Sequence, residues 1–518
     1  MSSDTCTKNG LETFDHVVVL MLENRSFDNL LGYLYTKENV PEGKSFAGLQ
    51  DYTGAMPIPS YAKGAKDHPS IKPCAATNYH QPFPDPGEVY QHVNTQLFNE
   101  ISEGNCDVPA YKMVKPYNVL TAEQCALPMT GFVKDYINTL NAMKDKQYND
   151  PDFDLYSVIM QCFEPVKIPV LTSLAKNFAV FDHWFCSVPS QTWCNRAFWH
   201  AGTSAGKVVN PLNSGGKLSD MEAMILWAID VWPNKTLFQR MEENNISHAV
   251  YTEDPVSLTS LVNGPFKNED VIRTGDNLSV FKDDIANKEL PQYSFLEPKF
   301  FGQHNDQHPS SVSGFIDGPT RDGTVILGEK LIADVYNSIF NNDTYRDNTL
   351  LIITYDEHGG CFDHIPPECL NSEEPPGQKG FTFNRLGVRV PMVMVSAYIK
   401  EKTIINKPFE HTSFIRTMCE KWDMEGLTCR DKNAPCFSNV FSTEKRKDFP
   451  IITSPKIKCS DSDYENDPLN ELQKSILVGA HYLFTKDKDC SEDVKSAIES
   501  IEKVGVAIKH LKALFNSH

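Results

Sequence analysis

Glu23 and Asn24 close one apolar run of this chain, and Asp356 and Glu357 close another. Carboxylates and an amide oxygen set together are ligands for a hard divalent cation, Mg²⁺, Ca²⁺ or Mn²⁺, rather than for a soft one. Without a cation, three such carboxylates repel one another. The chemistry requires the two clusters to meet, and the residues ahead of them indicate how. Val17-Val18-Val19-Leu20-Met21-Leu22 is too short for a membrane helix and suits a strand buried on both faces. Residues 350–353, within TLLIITYDEHGG, have the same character. In one parallel sheet both clusters emerge at the same edge, where open α/β sheets hold their ligands. After the first cluster the pattern turns helical, with Ser26 or Asp28 available as the cap.

A second kind of chemistry is offered by Thr192, in the loop SVPSQTWCNR between a predicted strand over 178–185 and a predicted helix over 196–200. A hydroxyl at the mouth of a helix is where a nucleophile sits near the helix dipole, and it is equally where an N-cap sits. His80 lies in a proline-rich turn, NYHQPFPDPGE, and His304 and His308 lie in FFGQHNDQHPSS after a short strand. Such histidines serve as phosphate or metal contacts or as solvated loop residues, and spacing alone does not choose.

The elements that position these residues follow a strand–helix alternation. Helices are expected over 89–98, 133–143, 171–177, 235–244 and 322–340 and from 411, with strands over 247–252, 293–296 and 389–398. Residues 35–70 read as an irregular excursion, and so do 431–467. From 469 onward the chain is helix-forming and charged, suited to packing on the outside. The expected fold is α/β, a doubly wound and mostly parallel sheet flanked by helices, with a small helical C-terminal region. The expected division is a catalytic domain over 1–440 and an irregular connector with helical extension over 441–518.

At 518 residues, 40% hydrophobic and 23% charged, the composition is that of a globular protein with a large core. A formal charge of −19 argues against a nucleic-acid groove and against electrostatic adhesion to anionic lipid, but not against a neutral or zwitterionic substrate. Residues 1–13 are polar, so no signal peptide is read and the cytoplasm is the default expectation, with export left open. No stretch is long and apolar enough for a transmembrane span. The 14 cysteines are scattered without a CxxC pair, which gives zinc and thioredoxin readings no support. In an exported protein Cys361 with Cys369, or two of Cys419, Cys429 and Cys436, would be bridged.

Glu23-Asn24-Arg25-Ser26-Phe27-Asp28, the SVP-x-x-T-x-x-NR pattern ending at Arg196, and Asp356-Glu357-His358-Gly359-Gly360 resemble the phosphoesterase family. That family groups non-specific, phosphatidylcholine-preferring phospholipases C with bacterial acid phosphatases. Asp85-Pro86-Gly87, Met129-Thr130-Gly131-Phe132, Asp306-Gln307-His308-Pro309 and His411-Thr412-Ser413 extend the resemblance in family order over residues 14–422. It implies an alkaline-phosphatase-like core with Glu23, Asn24, Thr192, Asp356 and Glu357 around a metal ion and Thr192 as nucleophile. It further implies Asn195 as a phosphate contact and a histidine as proton carrier, His80 or His308 before His304 or His358. Glu88 stands where many phospholipase members have a histidine, which makes His80 its expected substitute, as in the phosphatase branch. Threonine as nucleophile instead favours the phospholipase branch. The implied activity is phospholipase C-type hydrolysis of a phospholipid at a membrane surface. The alternatives are an acid phosphatase for soluble monoesters and an inactive binder of phosphorylated ligands.

Overall fold

The run of valines after Asp15 forms strand β1 (His16–Leu22), buried without exposure from Val17 on. β-Branched side chains fit this pleated, two-sided burial, and each large apolar side chain buried contributes about 1.5–3 kcal/mol. In the computed structural model, residues 6–119, 127–143, 145–211, 219–266, 269–309, 322–372, 374–485, 498 and 500–516 are described.

Among them, β1 is joined by β2 (Ala179–Phe181), β3 (His248–Thr252), β4 (Ile272–Thr274), β5 (Tyr293–Leu296), β6 (Thr349–Tyr355), β7 (Met392–Val395) and β8 (Thr403–Ile405). They form one 8-stranded sheet in the order β8-β2-β7-β6-β1-β5-β3-β4. β1 pairs in parallel with both β5 and β6, and β7 runs antiparallel to its neighbours β6 and β2. The sheet is thus mostly parallel, as expected, with one reversed strand that the sequence pattern did not separate from the rest. β1 and β6 run in register from His16 opposite Thr349 to Leu22 opposite Tyr355. Glu23 and Asp356 therefore leave the sheet side by side, and the Asp356 N–H still donates to Leu22 O at 3.2 Å.

The expected strand over 178–185 is broken. Its second part, Trp184–Phe185, pairs with Phe409–Glu410 in a separate two-stranded sheet. The break is a turn at buried Asp182 and His183: the Asp182 N–H still donates to Ile405 O of β8 (3.1 Å), while its carboxylate accepts from Ala47 N–H (2.8 Å) and Asn406 Nδ2 (2.7 Å). The strand expected over 389–398 is likewise shortened: Arg389 bridges antiparallel to Phe185 outside the main sheet, and its side chain is buried as an ion. Its guanidinium donates to Asp28 (3.0 Å) in helix α1 (Phe27–Leu31), to Asp363 (2.9 Å) and to the Asp182 and Ala47 carbonyls. Asp28, Asp363 and His364 are close enough to share a cation. Their oxygens are already taken by Arg389 and by the N–H groups of Asp28 and His364, so this cluster is complete as an ion pair network.

Helices α2 (Tyr90–Phe98) and α3 (Phe132–Ala142) pack on each other and build an apolar cluster with Phe362 and Val388. Helices α4 (Pro169–Asn177), α6 (Thr324–Phe340) and α7 (Thr412–Lys421) pack into the core of the main sheet, and α5 (Thr192–Ala201) joins that core through Trp199. Trp193, Ala197 and Phe198 of α5 pack instead with the C-terminal helices α8 (Glu471–Thr485) and α9 (Val504–Asn516), and Trp193 Nε1 donates to Ser475 Oγ at 2.9 Å. The expected cysteine pairings are corrected. Cys436 is bridged to Cys6, Cys369 is also disulfide-bonded, and Cys361, Cys419 and Cys429 are free. The N-terminal segment reaches Cys436 because it packs on residue 438, where Thr7 N–H donates to Ser438 Oγ (3.1 Å).

Burial would lower the His364 pKa, but Asp28 outweighs it and holds the imidazole above its usual 6.5. A raised pKa means that the charged pair stabilises the fold fully below 6.5 and less as pH rises through the folded value. The stability gap between wild type and His364→Asn, measured by urea unfolding, is expected to shrink as pH is raised from about 6 to about 9. A gap constant with pH would show that His364 folds in its neutral form.

Candidate active site

Three backbone segments interlock at the ends of β1 and β6. Asn24 adopts φ 55°, which asparagine tolerates, and its N–H donates to Asp356 Oδ1 at 3.1 Å. Gly359 (φ 60°) lies so close to Asn24 that a Cβ there would sit 2.3 Å from the Asn24 carbonyl oxygen. A Cβ on Gly360 would sit 2.5 Å from the Gly87 carbonyl oxygen. The two glycines thus let the Asp356–Gly360 loop rest against both Asn24 and the turn carrying Asp85 and Glu88.

Thr192 is the first residue inside α5, and Gln191 is the N-cap. The hydroxyl donates not to the helix but to Glu23 Oε2 (3.0 Å), with Asn24 Oδ1 at 3.4 Å. Of the two roles open at this position, the N-cap is thereby excluded. One turn on, on the same helix face, Arg196 donates to Glu23 Oε1 from Nε (3.0 Å) and to Met21 O (3.1 Å), while its Nη1 is buried without a hydrogen bond. Asn195, expected at the phosphate, is engaged elsewhere. Its Oδ1 accepts from Val188 N–H (3.0 Å) and its Nδ2 donates to the Ser190 carbonyl (2.8 Å), so it shapes the loop before Thr192. Arg196, quoted in the motif without a role, is the member of that pair facing the carboxylates, and its spacing of four from Thr192 was the available signal.

Asn24 Nδ2 donates to Glu88 Oε2 and faces His308 Nε2 at 2.9 Å, which turns Oδ1 toward Thr192. His308 Nδ1 lies 2.8 Å from the Pro309 carbonyl, so the ring hydrogen belongs on Nδ1 and the Nε2 lone pair faces the centre. Burial lowers the His308 pKa and raises that of Glu88 to about 8. Asp85, Glu88 and His308 can direct one ligand atom each to a common point.

Glu88 itself stands beside Asn24, whereas His80 is half-buried in the preceding loop with its N–H on Asn78 Oδ1 (2.9 Å). His304 sits behind the centre, its Nδ1 2.9 Å from Asp306 Oδ1, and the Asp306 carbonyl accepts from Glu23 N–H (2.8 Å). His358 sets Nε2 2.8 Å from Gln96 Oε1 and Nδ1 3.3 Å from Glu357 Oε2, and burial takes its pKa down to about 3. His308 is therefore the member of the four expected histidines whose ring touches Asn24.

Burial pushes the carboxyls of Glu23 and Glu357 well up, and neighbouring carboxylates add to it: Asp356 for Glu23, Glu88 and Asp356 for Glu357. For Glu23, Arg196 opposes the shift without cancelling it. Asp356 Oδ2 and Glu357 Oε1 are buried without a hydrogen-bond partner. An oxygen-only set with orphaned carboxylate oxygens and too little positive charge fits a hard divalent cation. Glu23, Asn24, Thr192, Asp356 and Glu357 have no exposed surface, and a cavity of about 960 Å³ lies beyond the far end of α5, lined by Gly202, Gln378 and Arg430 rather than by these residues.

A mostly parallel α/β sheet that delivers clustered carboxylates, an amide and a helix-borne hydroxyl to one edge defines a hydrolase of phosphoric esters. The chain belongs to the phosphoesterase family, whose profile matches residues 14–425. Non-specific phospholipase C6 of Arabidopsis thaliana is 28% identical over 94% of this chain and 85% of that relative. Phospholipase C B of Mycobacterium tuberculosis is 24% identical over 78% of this chain and 73% of its own. Among solved structures, a protein in the alkaline phosphatase superfamily from Vibrio parahaemolyticus overlaps 51% of this chain and 62% of its own, at 13% identity and a TM-score of 0.30.

Gly359→Ala forces both a positive φ and a clash with backbone, so it is expected to cost about 1–3 kcal/mol of stability and to disable hydrolysis. Thermal melting together with aryl phosphate turnover checks this. A folded, fully active Gly359→Ala enzyme would contradict the interlock.

Proposed function

We propose that this hydrolase acts as a phospholipase C, transferring the head-group phosphate of a phospholipid to Thr192 and then to water, with a hard divalent cation held by Glu23, Asn24, Asp356 and Glu357. The observation that carries this reading is the Thr192 hydroxyl, which donates to Glu23 at 3.0 Å at the sheet edge where Asp356 and Glu357 each keep a buried carboxylate oxygen without a hydrogen bond. Relatives named as phospholipases C support the lipid substrate. The cation, when bound, supplies positive charge for the phosphoryl oxygens and for an alkoxide at Thr192.

The chain's own residues account for the remaining steps. Glu23 Oε2 accepts the Thr192 proton as Oγ1 bonds to phosphorus and the glycerol oxygen leaves. Arg196 Nη1, buried without a hydrogen bond, is the donor free to hold a phosphoryl oxygen, and the N-terminus of α5 adds its dipole. Glu88 and His308 face each other at 3.7 Å beside Asn24 and hold the proton that passes to the leaving oxygen. The same pair takes a proton back from the water that attacks phosphorus, Glu23 returns its proton to Thr192 Oγ1 as the phosphothreonine bond breaks, and the phosphorylated head group is released. The Cys6–Cys436 bridge supports residence in an oxidising compartment rather than the cytoplasm first expected.

Thr192→Ala is expected to lose at least about 10³-fold in kcat. Wild type is expected to lose its activity in chelator and regain it with Mn²⁺ or Mg²⁺. Turnover on phosphatidylcholine micelles beside an aryl phosphate checks the substrate. Activity confined to the aryl monoester would move the protein to the phosphatase branch, and activity surviving in Thr192→Ala would rule out the covalent step.

A further inference from the structure

The loop carrying Asp356 and Glu357 and the turn carrying Asp85 and Glu88 are both tied to one buried amide. Gln96, on α2, donates from Nε2 to the Gly87 carbonyl (2.7 Å) and to Asp135 Oδ2 on α3 (2.8 Å). Its Oε1 meets His358 Nε2 at 2.8 Å. The Gly87 carbonyl only accepts, so the amide has one orientation, and Oε1 must then receive a hydrogen from His358 Nε2. The tautomer of His358 is thereby fixed with a bare Nδ1, which lies 3.3 Å from Glu357 Oε2. The ring offers Glu357 no hydrogen. The carboxylate takes one instead from Gly359 N–H (2.7 Å) and keeps Oε1 unpartnered for a ligand. Asp135 is held in turn by His92 Nδ1 at 2.8 Å, and Gly87 lies so close to that ring that a Cβ would sit 2.4 Å from His92 Cγ.

We propose that Gln96 is a positioning residue: it sets the His358 tautomer and pins the Gly87 carbonyl, and so holds Glu357 in ligand geometry and Glu88 in place beside Asn24 from outside the centre. This rests on the cation-dependent hydrolase reading. It goes beyond that reading by assigning a role to α2 and α3, whose side chains reach neither Thr192 nor a substrate. Partners behind the ligands of a metal site typically alter its affinity 10–100-fold when removed.

The test compares full-length wild type with Gln96→Glu, which keeps volume but loses both donated hydrogen bonds, and with Gln96→Leu, which loses all three contacts. Gln91→Leu is the control, because Gln91 is buried on the same helix but bonds the Ala110 carbonyl (2.8 Å) away from both loops. Mn²⁺ affinity by calorimetry, melting temperature, and kcat and KM on an aryl phosphate are measured for each. Both Gln96 variants are expected to bind Mn²⁺ about 10–100-fold more weakly and to lose kcat more than KM, with Gln91→Leu matching wild type in affinity. Gln96 variants that lose melting temperature alone, while Mn²⁺ affinity and kcat stay at wild-type values, would overturn the positioning role and leave the hydrolase reading standing. Wild type that binds no Mn²⁺ and cleaves no ester would overturn both.

Discussion

The structure depends on how negative charge is buried at the ends of β1 and β6. Glu23, Asp356 and Glu357 have no exposed surface, and Arg196 is the cation in direct contact with Glu23. Burying carboxylates without compensation is costly, so proteins pair them, protonate them or give them to a metal. Here Arg196 satisfies one oxygen of Glu23, Gly359 N–H satisfies one of Glu357, and Asn24 N–H satisfies one of Asp356. The oxygens left over belong to Asp356 and Glu357. On the function proposed above a divalent cation makes up that deficit, next to Glu23 and the Thr192 hydroxyl bonded to it.

The rest of the fold holds this arrangement in place by close backbone contact. Parallel register sets Glu23 beside Asp356, and Gly359 and Gly360 bring the second loop onto Asn24 and Gly87. α5 is anchored on two apolar clusters, through Trp199 to the main core and through Trp193 to the C-terminal helices, so its first residue is fixed against Glu23. On the other side of Asn24, the ion network of Arg389, Asp28 and Asp363 ties α1 to the chain that forms β7. Such rigidity suits the hydrolysis of a phosphoric ester, since the reacting groups must be in place before the substrate arrives.

Much of this was legible in the sequence because the two central strands announce themselves. Val17 to Leu22 and the run before Asp356 are uninterrupted apolar segments, and such strands imply a parallel sheet and a common edge. What was not legible depended on long-range contacts. Nothing in MVMV separates the antiparallel β7 from a parallel strand, and nothing local shows that the chain turns at Asp182, whose carboxylate meets the distant Ala47 and Asn406. The motif named Asn195 and Arg196 together, and only the helical phase relative to Thr192 distinguishes the one facing the carboxylates from the one folded into the loop. Glu88 stands where many members of the family have a histidine. It proved to be a buried carboxylate beside Asn24, a role set by the turn at Asp85–Gly87 rather than by residue type. The Cys6–Cys436 pair spans a sequence separation of 430, beyond any reading from spacing.

The most direct test of the central claim is the metal content of protein purified without chelator, measured by plasma mass spectrometry for wild type and Asp356→Ala side by side. The account predicts a stoichiometric hard divalent cation in wild type, lost in the variant while the fold is retained. Wild type that carries no such cation, and hydrolyses esters undiminished in excess chelator, would show that the buried carboxylates are neutralised by protons and that the account is wrong.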